Sequence, residues 1–182
     1  MTFPQDSTEL IVKHFDAVGS TNDEARVLSR SHPGQIVRVS AATQTSARGS
    51  RKRKWVSPRG GAWFSLAVPV DSPQRVTPIV VGQALLNVLN TYAGDLTLKA
   101  PNDILHHDKK LAGILCEQTL MPGQSKTTVV IGVGINANFN ASQLGPDLRT
   151  PPTTLRDIRR SDVDLDALIA RSTHAILNRL LA

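Results

Sequence analysis

A single cysteine, Cys116, in 182 residues rules out an intrachain disulfide framework and fits a reducing compartment. It stands in the apolar run 112–116, where a buried, inert thiol is the commoner reading than a nucleophile. Aromatic residues make up only 4% of the chain, so the core must be built from aliphatic side chains. No apolar run approaches the roughly 20 residues that cross a bilayer. The first residues have no basic stretch followed by an apolar one, so no secretory signal is visible either. Metal-ligand spacing is also missing. His106 and His107 are adjacent and would point to opposite faces of a strand, while His14, His32 and His174 are scattered. Ser20 has no visible histidine and acid partners for a hydrolase triad. What remains is a cytoplasmic chain of one domain, 1–182, long enough to bury a core without staples.

What the chain does have is positive charge. The formal net charge is +6, and Arg48, Arg51, Lys52, Arg53 and Lys54 fall within seven positions. Such a balance favours anionic partners, nucleotides and nucleic acids alike. Segment 45–59 is otherwise polar, with Trp55 and Val56 its only large apolar residues, and is expected to be a mobile loop. One aromatic is too little for a nucleic-acid stacking platform.

The elements expected around that loop are mixed. Strands are read at 13–17, 36–43, 62–70, 96–100, 104–105 paired with 110–117, and 127–136. Helices are read after Ser20, with Asp23 completing a capping-box spacing, from Pro78 to Tyr92, and over 163–181. Segments 121–126 and 138–154 read as a turn and a loop. Strands and helices do not alternate as regular βαβ units, so the expected class is α+β, a mixed sheet flanked by helices.

Four stretches could carry chemistry. In Lys99-Ala100-Pro101-Asn102-Asp103, Pro101 keeps Ala100 extended and turns the chain out of its strand. The Asp103 carboxylate would then suit Mg²⁺ held together with nucleotide phosphates; alone, the same residues fit a turn capping its own backbone. Lys110 could neutralise a developing anion, with Gly113 allowing close approach, or could be a solvated hairpin lysine. Arg48 and Gly49 could close the basic loop on a carboxylate or phosphate. Finally, Gly132-Val133-Gly134-Ile135-Asn136 could run beneath a ligand, but it lacks the third glycine and the following helix of a dinucleotide fingerprint.

In order and spacing, these stretches resemble the biotin–protein ligase catalytic domain. The matching phrases are Gly19-Ser20-Thr21-Asn22-Asp23-Glu24-Ala25, 44–61, 99–117, 130–136, and Pro152-Thr153-Thr154-Leu155-Arg156 with the last helix. The resemblance implies a class II synthetase-like fold with helices on one side of the sheet. It implies a reaction in which biotin and MgATP give biotinyl-5′-AMP, whose biotin passes to a lysine of a biotin carboxyl carrier protein. Lys110, Arg48 and Asp103 would be catalytic, with Asp103 assisting Mg²⁺. Ser20, Thr21, Asn22, Gln44, Arg48, Gly49, Ser50, Lys110 and Gly113 would hold biotin. Arg51, Arg53, Trp55, Asn102 and Asn136 would hold the nucleotide. Homodimerisation through a sheet edge is a family expectation as well.

Ala47, Ser50 and Lys52 depart from the family loop, commonly G-R-G-R-R-G-R, and Ala100 stands where tryptophan is usual. The chain is expected to be the catalytic domain alone, with no N-terminal winged helix, hence no specific DNA partner, and no C-terminal β-barrel. An acyl-binding homologue without full ligase activity, a ligase for lipoate or another acyl chain, and a nucleic-acid-binding module are the alternatives.

Overall fold

The computed structural model describes residues 10–119, 127–146 and 148–181. The apolar run Ala62–Val70 is strand β3 of a seven-stranded sheet. Around it lie β1 (Leu10–Val18), β2 (Ile36–Gln44), β4 (Leu96–Lys99), β5 (Asp103–His106), β6 (Lys109–Thr119) and β7 (Thr127–Ile135). The α-helices among the described residues are α1 (Thr21–Ser31), α2 (Pro78–Leu89), α3 (Leu155–Arg159) and α4 (Leu165–Leu181). The strand order is β1-β2-β3-β7-β6-β5-β4. β1 runs parallel to β2 and every other pairing is antiparallel. One β1–α1–β2 crossover thus leads into an antiparallel sheet, the mixed α+β arrangement expected.

Side chains alternate between the faces of a strand, and both faces of β3 are used. Phe64, Leu66 and Val68 join Leu85 and Leu89 of α2, Leu168 and Ile176 of α4, and Ile131 and Val133 of β7 in the main core. Full burial of each such side chain contributes about 1.5–3 kcal/mol. Thr77 caps α2 by accepting from the Val80 N–H at 3.3 Å, and Pro78 occupies the first turn, where no N–H is needed.

Helices do not lie on one side only, which corrects that expectation. α1 covers the opposite face, with Ala25 against Val37, Val39, Ala67 and Val130. That face of β2 and β3 is apolar as well and needs its own cover. Further along, the same face carries Gly113 paired with Gly134, and Leu115 paired with Gly132. The small residues leave a depression there.

Element ends differ in a few places. Ser20 has N-cap dihedrals, but its side chain makes no capping bond, so the capping box does not form. α2 stops at Leu89, before Tyr92. α3 has five residues, too few to register as a periodic pattern. The turn expected at 121–126 lies outside the described residues. Segment 45–59 is not simply open: the Trp55 N–H donates to the Ala47 carbonyl at 2.9 Å, and the Gly49 N–H to the Arg53 carbonyl at 2.7 Å.

Candidate functional site

A cavity of about 360 Å³ opens over the glycine-bearing face of β6 and β7. This is the range of pockets that enclose a small ligand. Its floor follows from the register. Gly113 and Gly134 are direct partners, and the Trp55 ring lies on both. A Cβ at Gly134 would stand 2.7 Å from Trp55 Nε1, and one at Gly113 would stand 3.0 Å from the ring. Only glycine allows that approach. Trp63 meets Trp55 edge-on, with 6.3 Å between ring centroids.

Lys110 enters at the start of β6. Its Nζ lies 2.7 Å from Asp103 Oδ1 and 4.9 Å from the Trp55 ring centroid. Its backbone is fixed on both sides: the Lys110 N–H donates to the Pro151 carbonyl and the Thr153 N–H to the Lys110 carbonyl. Asn136 adds donations from Nδ2 to the carbonyls of Lys110 at 3.2 Å and Thr153 at 3.0 Å. Its Oδ1 is buried and has no hydrogen-bond partner among the described residues. Asn102 donates from Nδ2 to the Ile114 carbonyl at 3.2 Å, so it also braces the strand entering the site.

The other end of the cavity is a connected polar network. Gln44 Oε1 accepts from the Thr21 backbone N–H at 2.8 Å and from the Thr21 hydroxyl at 3.1 Å. Gln44 Nε2 donates to Ser57 at 3.0 Å. Ser65 is fully buried and has one proton to give; Asn22 Oδ1, 2.6 Å away, can only accept it. Asn22 then donates from Nδ2 to Glu117 at 2.9 Å.

The basic loop folds over this cavity as an irregular hairpin. Arg51 (φ 58°) and Lys52 (φ 59°) are left-handed, a conformation costing non-glycine residues roughly 1–2 kcal/mol each. Arg53 donates to the Ser50 hydroxyl at 2.9 Å. Arg48 turns its guanidinium to Asp23 and Glu117.

Every site residue read from the sequence except Arg51 lines the cavity: Ser20, Thr21, Asn22, Gln44, Arg48, Gly49, Ser50, Arg53, Trp55, Asn102, Asp103, Lys110, Gly113 and Asn136. Sequence reasoning missed the carboxylate partners of Arg48. Glu117 has the period-two spacing of Gly113 and Leu115, so the strand pattern contained a signal for it. The wall formed by Leu144, Leu148, Arg149 and Pro152 had none, because it comes from a short 3-10 turn, Ala141–Leu144, and the irregular chain after it.

Two carboxyl groups beside the cavity are perturbed. Burial pushes Glu117 up, but hydrogen bonds from Asn22 and Arg48 and the charges of Arg48 and Arg26 outweigh it, leaving it below its ordinary value. Asp23 is lowered chiefly by its bond from Arg48. The same contacts raise Arg48.

Residues 15–136 match the model of the biotin/lipoate A/B protein ligase family. The chain belongs to this family. It is 32% identical over 170 residues to the bifunctional ligase/repressor BirA of Bacillus spizizenii, covering 89% of this chain and 52% of that protein. The chain therefore spans about half the length of this curated relative. Among solved structures it resembles the biotin protein ligase of Aquifex aeolicus in complex with biotin and ATP. The TM-score is 0.74 and the identity 26%, covering 94% of this chain and 70% of that one. It also resembles the Leishmania major biotin protein ligase in complex with biotinyl-5-AMP. There the TM-score is 0.72 and the identity 26%, covering 93% and 73% of the two chains. The class II synthetase-like architecture expected of the family is the one observed. No helix among the described residues is long and apolar enough to cross a membrane.

Proposed function

We propose that this chain is a biotin–protein ligase. It condenses biotin with ATP to biotinyl-5′-AMP and transfers biotin to a lysine of a biotin carboxyl carrier protein, in the cytoplasm. The observation that carries the reading is Lys110, braced at its backbone and placed beside Asp103 on a glycine floor. A biotin carboxylate oxygen attacks the α-phosphorus and pyrophosphate leaves. The carrier lysine amine then attacks the acyl carbon of the mixed anhydride, and AMP leaves.

Both steps depend on positioning and on charge stabilisation at oxygen. Lys110 supplies the cation between carboxylate and α-phosphate. Ser20, Thr21, Asn22 and Gln44 form the polar end for the biotin head group, while Gly49, Ser50 and Gly113 border its carboxylate beneath the loop that Arg48 ties to Asp23 and Glu117. Trp55 presents a flat ring to the nucleotide. Asn102 and Asn136 frame its half of the cavity, where the unpartnered Asn136 Oδ1 is an acceptor suited to an amino group. Arg51 and Arg53 belong to the loop that meets the phosphates. Mg²⁺ fits as an ion carried mainly by ATP: Asp103 is one carboxylate at the site, and no group of three metal-ligating side chains occurs among the described residues. Bound there, Mg²⁺ supplies charge neutralisation at the phosphates. Pairing of two chains through a sheet edge is part of the same reading.

The experiment is pyrophosphate release dependent on biotin and ATP, with mass detection of biotinyl-AMP. The parent chain should form the adenylate, and Lys110→Ala should lose at least about 100-fold of the rate while still unfolding in one cooperative transition above the assay temperature. An unaltered rate in Lys110→Ala removes the assigned role; no adenylate from the parent chain removes the ligase reading.

A further inference from the structure

We propose that Asp23 and Glu117 are positioning residues that latch the basic loop over the cavity, with Arg48 as the bolt. Arg48 donates from Nε and Nη2 to Glu117 at 3.2 and 3.0 Å, and from Nη1 and Nη2 to Asp23 at 2.8 Å each. Four of its five N–H groups are thereby spent on protein carboxylates. A guanidinium so occupied is an anchor for its own loop rather than the ligand of a substrate carboxylate.

The receiving end is rigid and built for a cation. Asp23 stands in the first turn of α1 and Glu117 on β6, two elements joined through the sheet. Arg26 bridges the two carboxylates at 2.7 and 3.0 Å, and Asn22 donates to Glu117 at 2.9 Å. With Arg48 seated, two arginines face two carboxylates and the cluster is neutral. With the loop lifted, two carboxylates share Arg26, and a negative charge is left in a partly covered site. Their side chains are 49% and 25% exposed, so Glu117 especially is shielded from solvent compared with a surface pair.

The loop needs such an anchor. Arg51 and Lys52 are both left-handed, so backbone preference opposes the folded hairpin. Arg48 fastens one end, and Trp55, lying on Gly113 and Gly134, fastens the other. Between them Ser50, Arg53 and Lys54 line the cavity.

The latch itself is testable without ligand, because the loop is a run of trypsin sites. Chains carrying Asp23→Asn, Glu117→Gln or Arg48→Lys should be cut between residues 51 and 54 about tenfold faster than the parent, since proteolysis follows the open fraction. Arg48→Lys keeps the charge and loses the paired geometry, so it should open the loop as neutralisation does. Asp16→Asn, which breaks the exposed pair with Arg59, should leave loop cutting unchanged. An unchanged loop rate overturns the latch, and so does acceleration at all tryptic sites together. If Glu117→Gln does not fold, Asp23→Asn, at a half-exposed carboxylate, decides the question.

The consequence for catalysis rests on the ligase reading. Asp23→Asn should raise the biotin KM severalfold with kcat nearly kept, because only the closed fraction has changed. A fall in kcat at unchanged KM would place Arg48 at the reacting atoms and overturn the proposal. A parent chain without adenylate formation defeats the ligase reading alone, and the tryptic result still decides the latch.

Discussion

Gly132→Ala should be among the most destabilising single-methyl additions in this protein, and the structure gives the size. A Cβ at Gly132 would stand 2.3 Å from Asn22 Oδ1 and 3.0 Å from its Cγ. Asn22 is 5% exposed and held by Ser65 at 2.6 Å and Glu117 at 2.9 Å, so it cannot swing aside without breaking both bonds. Overpacking of this kind costs about 1–3 kcal/mol. Losing one neutral and one charge-assisted hydrogen bond adds roughly 2–4 kcal/mol. Partial relaxation trades one cost against the other, giving about 3–5 kcal/mol, a large share of a typical total of 5–15 kcal/mol. At 2–4 °C per kcal/mol for a chain of this size, the melting temperature should fall by about 10 °C. Urea unfolding should show a lower midpoint at unchanged slope.

Two other glycines set the scale. Gly19→Ala meets nothing within 4 Å, and at Gly82 the nearest atom is the free end of the Leu98 side chain, so both should cost far less. The decisive comparison is a double-mutant cycle with Asn22→Ala. Removing the Asn22 side chain should make the Gly132→Ala cost collapse, with a coupling above about 1.5 kcal/mol. A loss under about 1 kcal/mol for Gly132→Ala alone, or additive effects in the cycle, would refute the reasoning.

Other outcomes follow from single features. Ser172 is fully buried on α4 and its hydroxyl has no hydrogen-bond partner among the described residues, so Ser172→Ala should be neutral or stabilising by about 1 kcal/mol in urea unfolding; a clear loss would reveal a hidden partner. Burial pushes the Cys116 thiol up to about 12, so the native chain at pH 8 should resist iodoacetamide until it is denatured. Rapid native alkylation would contradict this. Asp23 and Glu117 lie below their ordinary values of 3.8 and 4.5, so their contribution is complete above those values and lost as pH falls through the lower folded ones. The urea-midpoint difference between the parent and an Asp23→Asn/Glu117→Gln chain should therefore be flat from neutrality down to about pH 4.5 and shrink only below it. Shrinkage beginning near pH 6 would mean that other groups titrate there.

Much of the site was legible because its chemistry is local in sequence. Asp103 and Lys110 flank one short hairpin, β5–β6, so a turn suffices to bring them together. The glycines of β6 and β7 stand at strand alternation, and their spacing alone suggests a ligand-facing surface. Neighbouring residues also give the basic loop its composition, its left-handed turn aside. What composition did not show was the fastening: polar residues 45–59 hold no apolar run to pin them down, and the contacts come from Asp23 and Glu117, 25 and 69 positions away from Arg48.

The sequence by itself determined the class of fold, the strands that carry the core, and the residues gathered around the cavity. Apolar alternation and glycine placement express backbone geometry directly, and they do so within ten or so residues. Only the tertiary structure decided which face each helix covers, that Gly113 meets Gly134 beneath Trp55, and that Arg48 spends its guanidinium on two carboxylates. Those are matters of register between strands distant in sequence. Shifting the β6–β7 pairing by one residue would leave both strands apolar enough to be buried, yet remove the floor of the site.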